Sequence, residues 1–349
     1  MQPGDVLMSM ALVSRREGFG KRHRWLPFVW LSLLLWLIAG LLPAIAQAET
    51  AARQPPLPLL WKVSKGDAHL YLLGSFHLLK PDDYPLSPDV DRAFADARRL
   101  VFELAPDEVN SPDLGRKMMQ AGRREDGSSL RQELDAPTWR KLQSFAVSHG
   151  MQLDALSVYQ PWFVGLTVSI AAMADQGMDP ALGLDRHFME LALKAGKPAT
   201  GLERADEQIA MLAGMTPEEQ RQMLAEALDD AGGQDSQIQQ LHDAWRRGDA
   251  ERLWKDMAQD MRRHYPALYR NINVERNDRW VPKLEQMLQS APTHGNVLVV
   301  VGALHLLGDD GVVGKLRARG YTVERICSVC AAEKSKAAAM IKASPRQRR

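Results

Sequence analysis

Two histidines of this sequence stand in matched settings. Gly74-Ser75-Phe76-His77-Leu78-Leu79 follows the run Ala68-His69-Leu70-Tyr71-Leu72-Leu73, and Gly302-Ala303-Leu304-His305-Leu306-Leu307 follows Asn296-Val297-Leu298-Val299-Val300-Val301. Each run suits a buried strand, and the glycine that closes it lets the chain turn sharply. Open α/β sheets bind ligands beyond the carboxyl ends of their strands, so the two Gly-x-x-His turns could bring two imidazoles to one site. A third run, Leu100-Val101-Phe102, ends in Glu103. Two neutral imidazoles and a carboxylate form a donor set for a borderline or hard divalent ion with positions left for water and substrate. Such an ion would acidify its water and polarise a carbonyl or phosphoryl oxygen. A single Gly-x-x-His is more often an ordinary hydrogen-bonded strand end; two copies, each followed by Leu-Leu, are a stronger signal.

The elements that must position these groups follow from periodicity. Leu59-Leu60-Trp61-Lys62-Val63 and His69 to Leu73 flank Ser64-Lys65-Gly66-Asp67, the pattern of a β-hairpin. Asp89 to Ala97 has helical spacing, and the strand from Leu100 to Leu104 comes next. The second copy repeats the order, with Val297 to Val301, the His305 turn, a helix across Val312 to Arg319 and a strand from Gly320 to Ile326. Both units read as βαβ-like half-sites of one sheet, consistent with an internal duplication. Between them, over about 110–290, lies a large helical insertion. Its amphipathic segments are Thr138 to His149, Trp162 to Asp175, Leu184 to Ala195, Pro217 to Asp229, Gln237 to Arg247, Ala250 to Arg262 and Asn273 to Gln289. Thr216 and Glu219 make a capping box before one of them. The short stretch Lys197 to Glu203 could be a further strand ending in an acid. The expected fold is therefore α/β, with a mixed sheet built from two βαβ-like half-sites and a large helical insertion; the methionines fill its core.

The ends of the chain differ from its body. Lys21-Arg22-His23-Arg24 precedes an apolar run from Trp25 to about Ala46 and an Ala46-Gln47-Ala48 exit, so residues 1–48 read as a secretory signal, with an uncleaved anchor as the other reading. Either way the body is expected outside the cytoplasm, in a periplasmic or equivalent space. Residues 49–58 form a proline-rich linker, 59–330 the folded domain and 331–349 a basic disordered tail. Setting aside residues 1–48 and 333–349 leaves 33 Lys/Arg against 40 Asp/Glu. That balance argues against a nucleic-acid surface. Membrane contact is expected only through the signal or anchor.

Cys327 and Cys330 form one C-x-x-C. A local disulfide suits an oxidising compartment. A redox motif would be expected at a helix start, whereas here it leads into the tail, and zinc lacks a second cysteine pair. His69 reads as a sheet-face residue, and His149, His187, His242 and His264 as structural residues on helices. There is no His-Glu-x-x-His, Gly-x-Ser-x-Gly or phosphate-loop motif, which disfavours a zincin, a serine hydrolase and an NTPase.

Several of these segments together resemble the TraB/GumN (TraB/PrgY/GumN) family. They are Trp61-Lys62-Val63, the strand into Gly74-x-x-His77, Tyr84-Pro85-Leu86, Leu100-Val101-Phe102-Glu103, Gly196-Lys197-Pro198 to Leu202-Glu203, Glu275-Arg276-Asn277 and Gly302-x-x-His305. The resemblance spans about Leu59 to Ile326. It is similar in turn to Tiki-type metalloproteases and, more distantly, to erythromycin-esterase and ChaN-like folds. It implies an α/β core whose site comprises His77, Glu103, Arg276 and His305. From the Tiki side it implies a divalent-metal protease using manganese or cobalt. From the esterase side it implies a water activated by a histidine base.

The expected function is thus an extracytoplasmic metal-dependent hydrolase, a metalloprotease-like peptidase acting on a peptide or small molecule. Its expected cofactor is a divalent ion: manganese, cobalt or zinc. His77 and His305 would ligate the ion or, without metal, one would serve as general base. Glu103 would be the third ligand or the base for water. Arg276 would stabilise an oxyanion or hold a substrate carboxylate. Glu203 is a candidate supporting residue, though a helix start explains it nearly as well, and Glu324 is the counterpart of Glu103 in the second copy. The alternative function is a non-catalytic protein that binds or sequesters a peptide or other envelope ligand.

Overall fold

Six strands carry the fold: β1 (Leu60–Lys65), β2 (Ala68–Ser75), β3 (Arg99–Leu104), β4 (Ala199–Glu203), β5 (Val297–Gly302) and β6 (Thr322–Ile326). A computed structural model describes residues 54–232 and 237–332. The expected signal, the start of the linker and all but the first two residues of the tail lie outside the described residues.

The strands form one sheet in the order β4-β3-β5-β2-β1-β6. β4, β3, β5 and β2 run parallel, whereas β1 pairs antiparallel with both β2 and β6. Every residue of β5 is buried, as expected for a parallel strand covered on both faces, which reads as an unbroken apolar run. The sheet is mixed, and the expected β1–β2 hairpin forms, with Leu60 opposite Leu73; its connection is only Gly66-Asp67, because Ser64 and Lys65 pair within the strands.

The two half-sites are interleaved. β2 reaches β3 through α1 (Pro88–Asp96), yet β5 lies between those strands. β5 reaches β6 through the helix Val312–Ala318, but β2 and β1 lie between them. Each copy therefore inserts a strand into the territory of the other, and this places both Gly-x-x-His turns on adjacent strands. Glu324 pairs opposite Lys62 within the edge strand β6, so it has no counterpart position to Glu103. The insertion contributes β4, the strand suggested by Lys197 to Glu203.

Further helices bear on the site: α2 (Pro161–Asp175), α3 (Leu184–Lys194), α4 (Ala205–Ala213), α5 (Pro217–Gly232), α6 (Gln237–Arg246) and α7 (Glu275–His294). The capping box forms as expected, with Glu219 N donating to Thr216 Oγ1 (3.3 Å) and Thr216 N to Glu219 Oε2 (2.8 Å). Two segments wind as π-helix: Trp254–Gln259, inside the helix expected over Ala250 to Arg262, and Arg270–Val274, which overlaps only the start of the one expected from Asn273. A π turn carries an extra residue and rephases the helix after it, a device frequent beside functional sites. The second one ends two residues before Arg276.

α6 holds the first Gly-x-x-His turn in place. Trp245 Nε1 donates to Gly74 O (3.1 Å), and the Phe76 ring packs against both His242 and Trp245. Below them Asp83, fully buried, accepts from Lys80 N (2.7 Å), His242 Nε2 (2.8 Å) and Arg246 Nη1. Burial would raise the Asp83 carboxyl, but these partners outweigh it and hold it below the usual range. Replacing one member of a buried ionic cluster strands the others. Asp83→Ala is therefore expected to lower unfolding stability by about 3–5 kcal/mol in urea titrations. The wild-type margin should also shrink as pH falls below the ordinary aspartate pKa, because the folded-state value is depressed.

Candidate functional site

Since β4, β3, β5 and β2 are parallel, their carboxyl ends share one edge of the sheet. Glu203 ends β4, Glu103 lies one residue from the end of β3, Gly302 ends β5 with His305 three residues on, and Ser75 ends β2 two residues before His77. α7 brings Arg276 to the same edge. The structure thus gathers His77, Glu103, Arg276 and His305, and adds Glu203, Asp185, Asn277 and Trp280.

Arg276 is the hub. Its Nε donates to Glu203 (3.1 Å to each oxygen), Nη2 to Glu103 Oε2 (2.6 Å), and Nη1 to His305 Nε2 (3.0 Å), with a longer contact to Ile272 O (3.4 Å). Its plane stands over Trp280, whose Nε1 donates to Glu203 Oε1 (2.8 Å). Burial would lower the guanidinium pKa, but Glu103 and Glu203 outweigh it and raise it. Burial alone would raise the Glu103 carboxyl; Arg276 above all, with the Gly302 N–H, holds it well below the usual carboxylate range. Glu103 Oε1 also accepts from Gly302 N (2.8 Å). Arg276 is thus committed to the protein at nearly every N–H, so it offers a positive field more than a free hydrogen bond.

The two histidines are set in opposite states. Arg276 can only donate, so His305 Nε2 carries the lone pair and Nδ1 the proton, which goes to Asn277 Oδ1 (2.8 Å). Asn277 is fixed in turn by donating to Asp310 O (2.9 Å). Burial, aided by Arg276 and His77, pushes the His305 pKa down to about 3 against the pull of Glu103. His77 instead meets Asp185 through Nδ1 (2.9 Å), and Ser75 Oγ donates to the same carboxylate oxygen. Asp185 raises the His77 pKa to about 9. The side chain is 55 % exposed, and that water screens the attraction and moderates the rise.

A hollow lies over Gly302. A methyl group there would stand 3.2 Å from both Glu103 Oε1 and His77 Nε2 and 3.6 Å from His305 Cδ2. A glycine here keeps the space between these groups clear, and His77 Nε2 and Glu103 Oε1 stand 4.0 Å apart, a span that one water can bridge by hydrogen bonds to both. The same spacing is wider than a tetrahedral zinc site needs. Ligands at about 2.0–2.1 Å around a tetrahedral ion stand about 3.3 Å apart, whereas each histidine Nε2 is 4.0 Å from Glu103 Oε1. His305 Nε2 already accepts from a cation. Among the described residues no group of three His, Cys, Asp or Glu is arranged to hold a metal.

The hollow opens onto a cavity of about 760 Å³ with Leu166, Ile170, Met173, Leu241, Met257 and Ile272 in its wall. His77 also borders a smaller cavity of about 220 Å³ shared with Glu103, Leu104, Asp185, Met189 and Gln208. His264, expected to be structural, lines the larger cavity. His242 is structural as expected; His69 bonds Asp96 and Tyr71.

Asp185 was not singled out by the motifs. It sits second in α3, whose start comes so close to the first turn that a side chain at Gly183 would stand 2.1 Å from His77 O. Leu184 N donates to Phe76 O (3.1 Å). The only trace in the sequence is Gly183-x-Asp185 opening a helix, which is too common to single out alone.

The sequence profile of the TraB/PrgY/gumN family matches residues 59–325 of the chain. No curated protein and no solved structure matches it.

Arg276→Met would leave Glu103 and Glu203 buried without their cation. It is expected to cost about 3–5 kcal/mol of unfolding stability, read in urea titrations. Arg276→Lys should recover only part of it, because a point charge cannot span both carboxylates and the imidazole.

Proposed function

The chain belongs to the TraB/PrgY/gumN family, and from that premise we propose that it is an extracytoplasmic hydrolase, acting on peptides, that activates water with His77. The observation that carries this reading is the 4.0 Å gap between Glu103 Oε1 and His77 Nε2, the ring nitrogen left open while Asp185 holds Nδ1. A water bridging that gap would be oriented by Glu103 and would give its proton to His77 Nε2 as it attacks a carbonyl carbon. Asp185 stabilises the imidazolium that results and fixes the ring through Nδ1. Arg276 supplies positive charge near the developing oxyanion. His305 stays neutral and serves to orient Arg276. Apolar walls beside His77 in both cavities suit an extended substrate with apolar side chains on either side of the reacting bond.

One observation favours a second reading, the metal-dependent hydrolase expected from the motifs. A histidine bonded to a carboxylate through Nδ1 with Nε2 open is the arrangement that ligating histidines have. An ion there would need His305 Nε2 to give up Arg276, and no step of the first reading depends on it.

Cleavage of an apolar peptide library by the full-length protein tests these readings together. The first predicts turnover that survives chelation and falls by about 10³-fold or more in His77→Gln. Turnover lost on chelation and restored by manganese, cobalt or zinc would select the metal reading. Peptide binding without turnover, retained in His77→Gln, would select the non-catalytic ligand-binding protein.

The pH profile gives a separate check. His77 accepts a proton only when neutral, so kcat/KM should rise with pH through its elevated pKa. Asp185→Asn removes the main cause of the elevation. The rising limb should then move toward the ordinary imidazole value while the maximal rate falls.

A further inference from the structure

The Cys327-x-x-Cys330 motif takes no part in the cleft. The two cysteines form a disulfide immediately after β6. The chain does not run straight on, as the sequence suggested: residues 328–332 are helical, with Ala331 N donating to Cys327 O (3.1 Å).

Three observations bear on what this disulfide does. The segment is anchored without it: Asp89, buried in α1, accepts from Ser328 N (2.7 Å) and Ser328 Oγ (2.6 Å), and Arg92 Nη2 reaches Ser328 Oγ (3.1 Å). So short a loop also restricts the unfolded chain little, which makes the bond a poor staple. Cys330 N donates to Cys327 Sγ (3.3 Å). That hydrogen bond would stabilise a Cys327 thiolate once the disulfide opens, and the thiolate is the form that exchanges. Finally, the residues between the cysteines face solvent. Val329 is 47 % exposed, one of four large hydrophobic side chains left exposed among the described residues. It offers an apolar contact beside the sulfurs for an extended peptide.

We propose that Cys327–Cys330 is a redox-active disulfide that exchanges with protein dithiols, a second activity independent of the cleft. A partner thiolate attacks Cys327 Sγ, the Cys327–Cys330 bond breaks, and Cys330 leaves as a thiolate. The partner's second thiolate then attacks the mixed disulfide and Cys327 leaves as the hydrogen-bonded thiolate. The partner ends as a disulfide, oxidised by two electrons; this chain ends as a dithiol, and the two protons released by the partner's thiols are taken up here. A disulfide-bonded protein partner runs the same steps in reverse.

The test uses the full-length protein equilibrated with reduced and oxidised glutathione, followed by alkylation and mass analysis. The disulfide should open and close reversibly across glutathione mixtures while far-UV circular dichroism stays constant, since Asp89 retains the segment. In the reduced protein Cys327 should alkylate about tenfold or more faster than Cys330 at neutral pH. Cys330→Ser should trap a mixed disulfide when its Cys327 thiolate attacks disulfide-bonded, scrambled ribonuclease and displaces a ribonuclease thiolate, and Cys327→Ser should not. His77→Ala should exchange as the wild type does. A disulfide that stays closed in excess reduced glutathione, or cysteines that alkylate at equal rates and trap no partner, would overturn the proposal.

Discussion

A single buried guanidinium organises the functional edge of this protein. Arg276 lies between the carboxylates that end β3 and β4, stacks on Trp280, and reaches past them to the imidazole delivered by β5. Parallel strands bring their carboxyl ends together by topology, but the carboxylates so gathered repel and call for a cation between them, which Arg276 supplies by donating to both Glu103 and Glu203. Arg276 meets that requirement from α7, a different part of the chain. The edge holds its charge pattern because strands and helix supply opposite signs.

The same residue separates two histidines that look equivalent in the sequence. By donating to His305 it ties that ring's lone pair and keeps it neutral, and Asn277 secures the tautomer from the other side. His77 lies outside this grip, held by Asp185 and open at Nε2. Environments that push two titratable groups in opposite directions divide roles between identical side chains. A symmetric pair of ligands would be the simplest use of a repeated motif; here the repetition supplies position, and the neighbours supply the chemistry.

Much of this was legible from pattern. The strand ends at Gly74, Glu103 and Gly302 are marked by apolar runs closed by a glycine or an acid, and period and length make such runs readable. The convergence of His77, Glu103 and His305 follows once the strands are known to be parallel. Pairing order was not readable, because nothing in β2 or β5 states that they lie side by side; so the two copies looked like separate half-sites when they interleave. The π turns before Arg276 were hidden as well, since their residues have ordinary helix propensity and the extra residue is imposed by packing. Asp185 escaped for a similar reason: its partner His77 lies 108 residues away, and only the close approach of α3 at Gly183 joins them. The metal expectation came from residue types and from the family resemblance. Types do not reveal that a cation from the protein already occupies the lone pair of one proposed ligand.

The most direct measurement is nitrogen NMR of the histidine rings in the full-length protein through a pH titration, with and without added zinc. The account predicts that His305 stays neutral and protonated on Nδ1 throughout the neutral range. It predicts that His77 titrates above the ordinary imidazole value, and that zinc leaves the His305 Nε2 signal unmoved. A His305 that titrates near the ordinary value, or whose Nε2 shifts together with that of His77 on zinc binding, would contradict the central place given to Arg276.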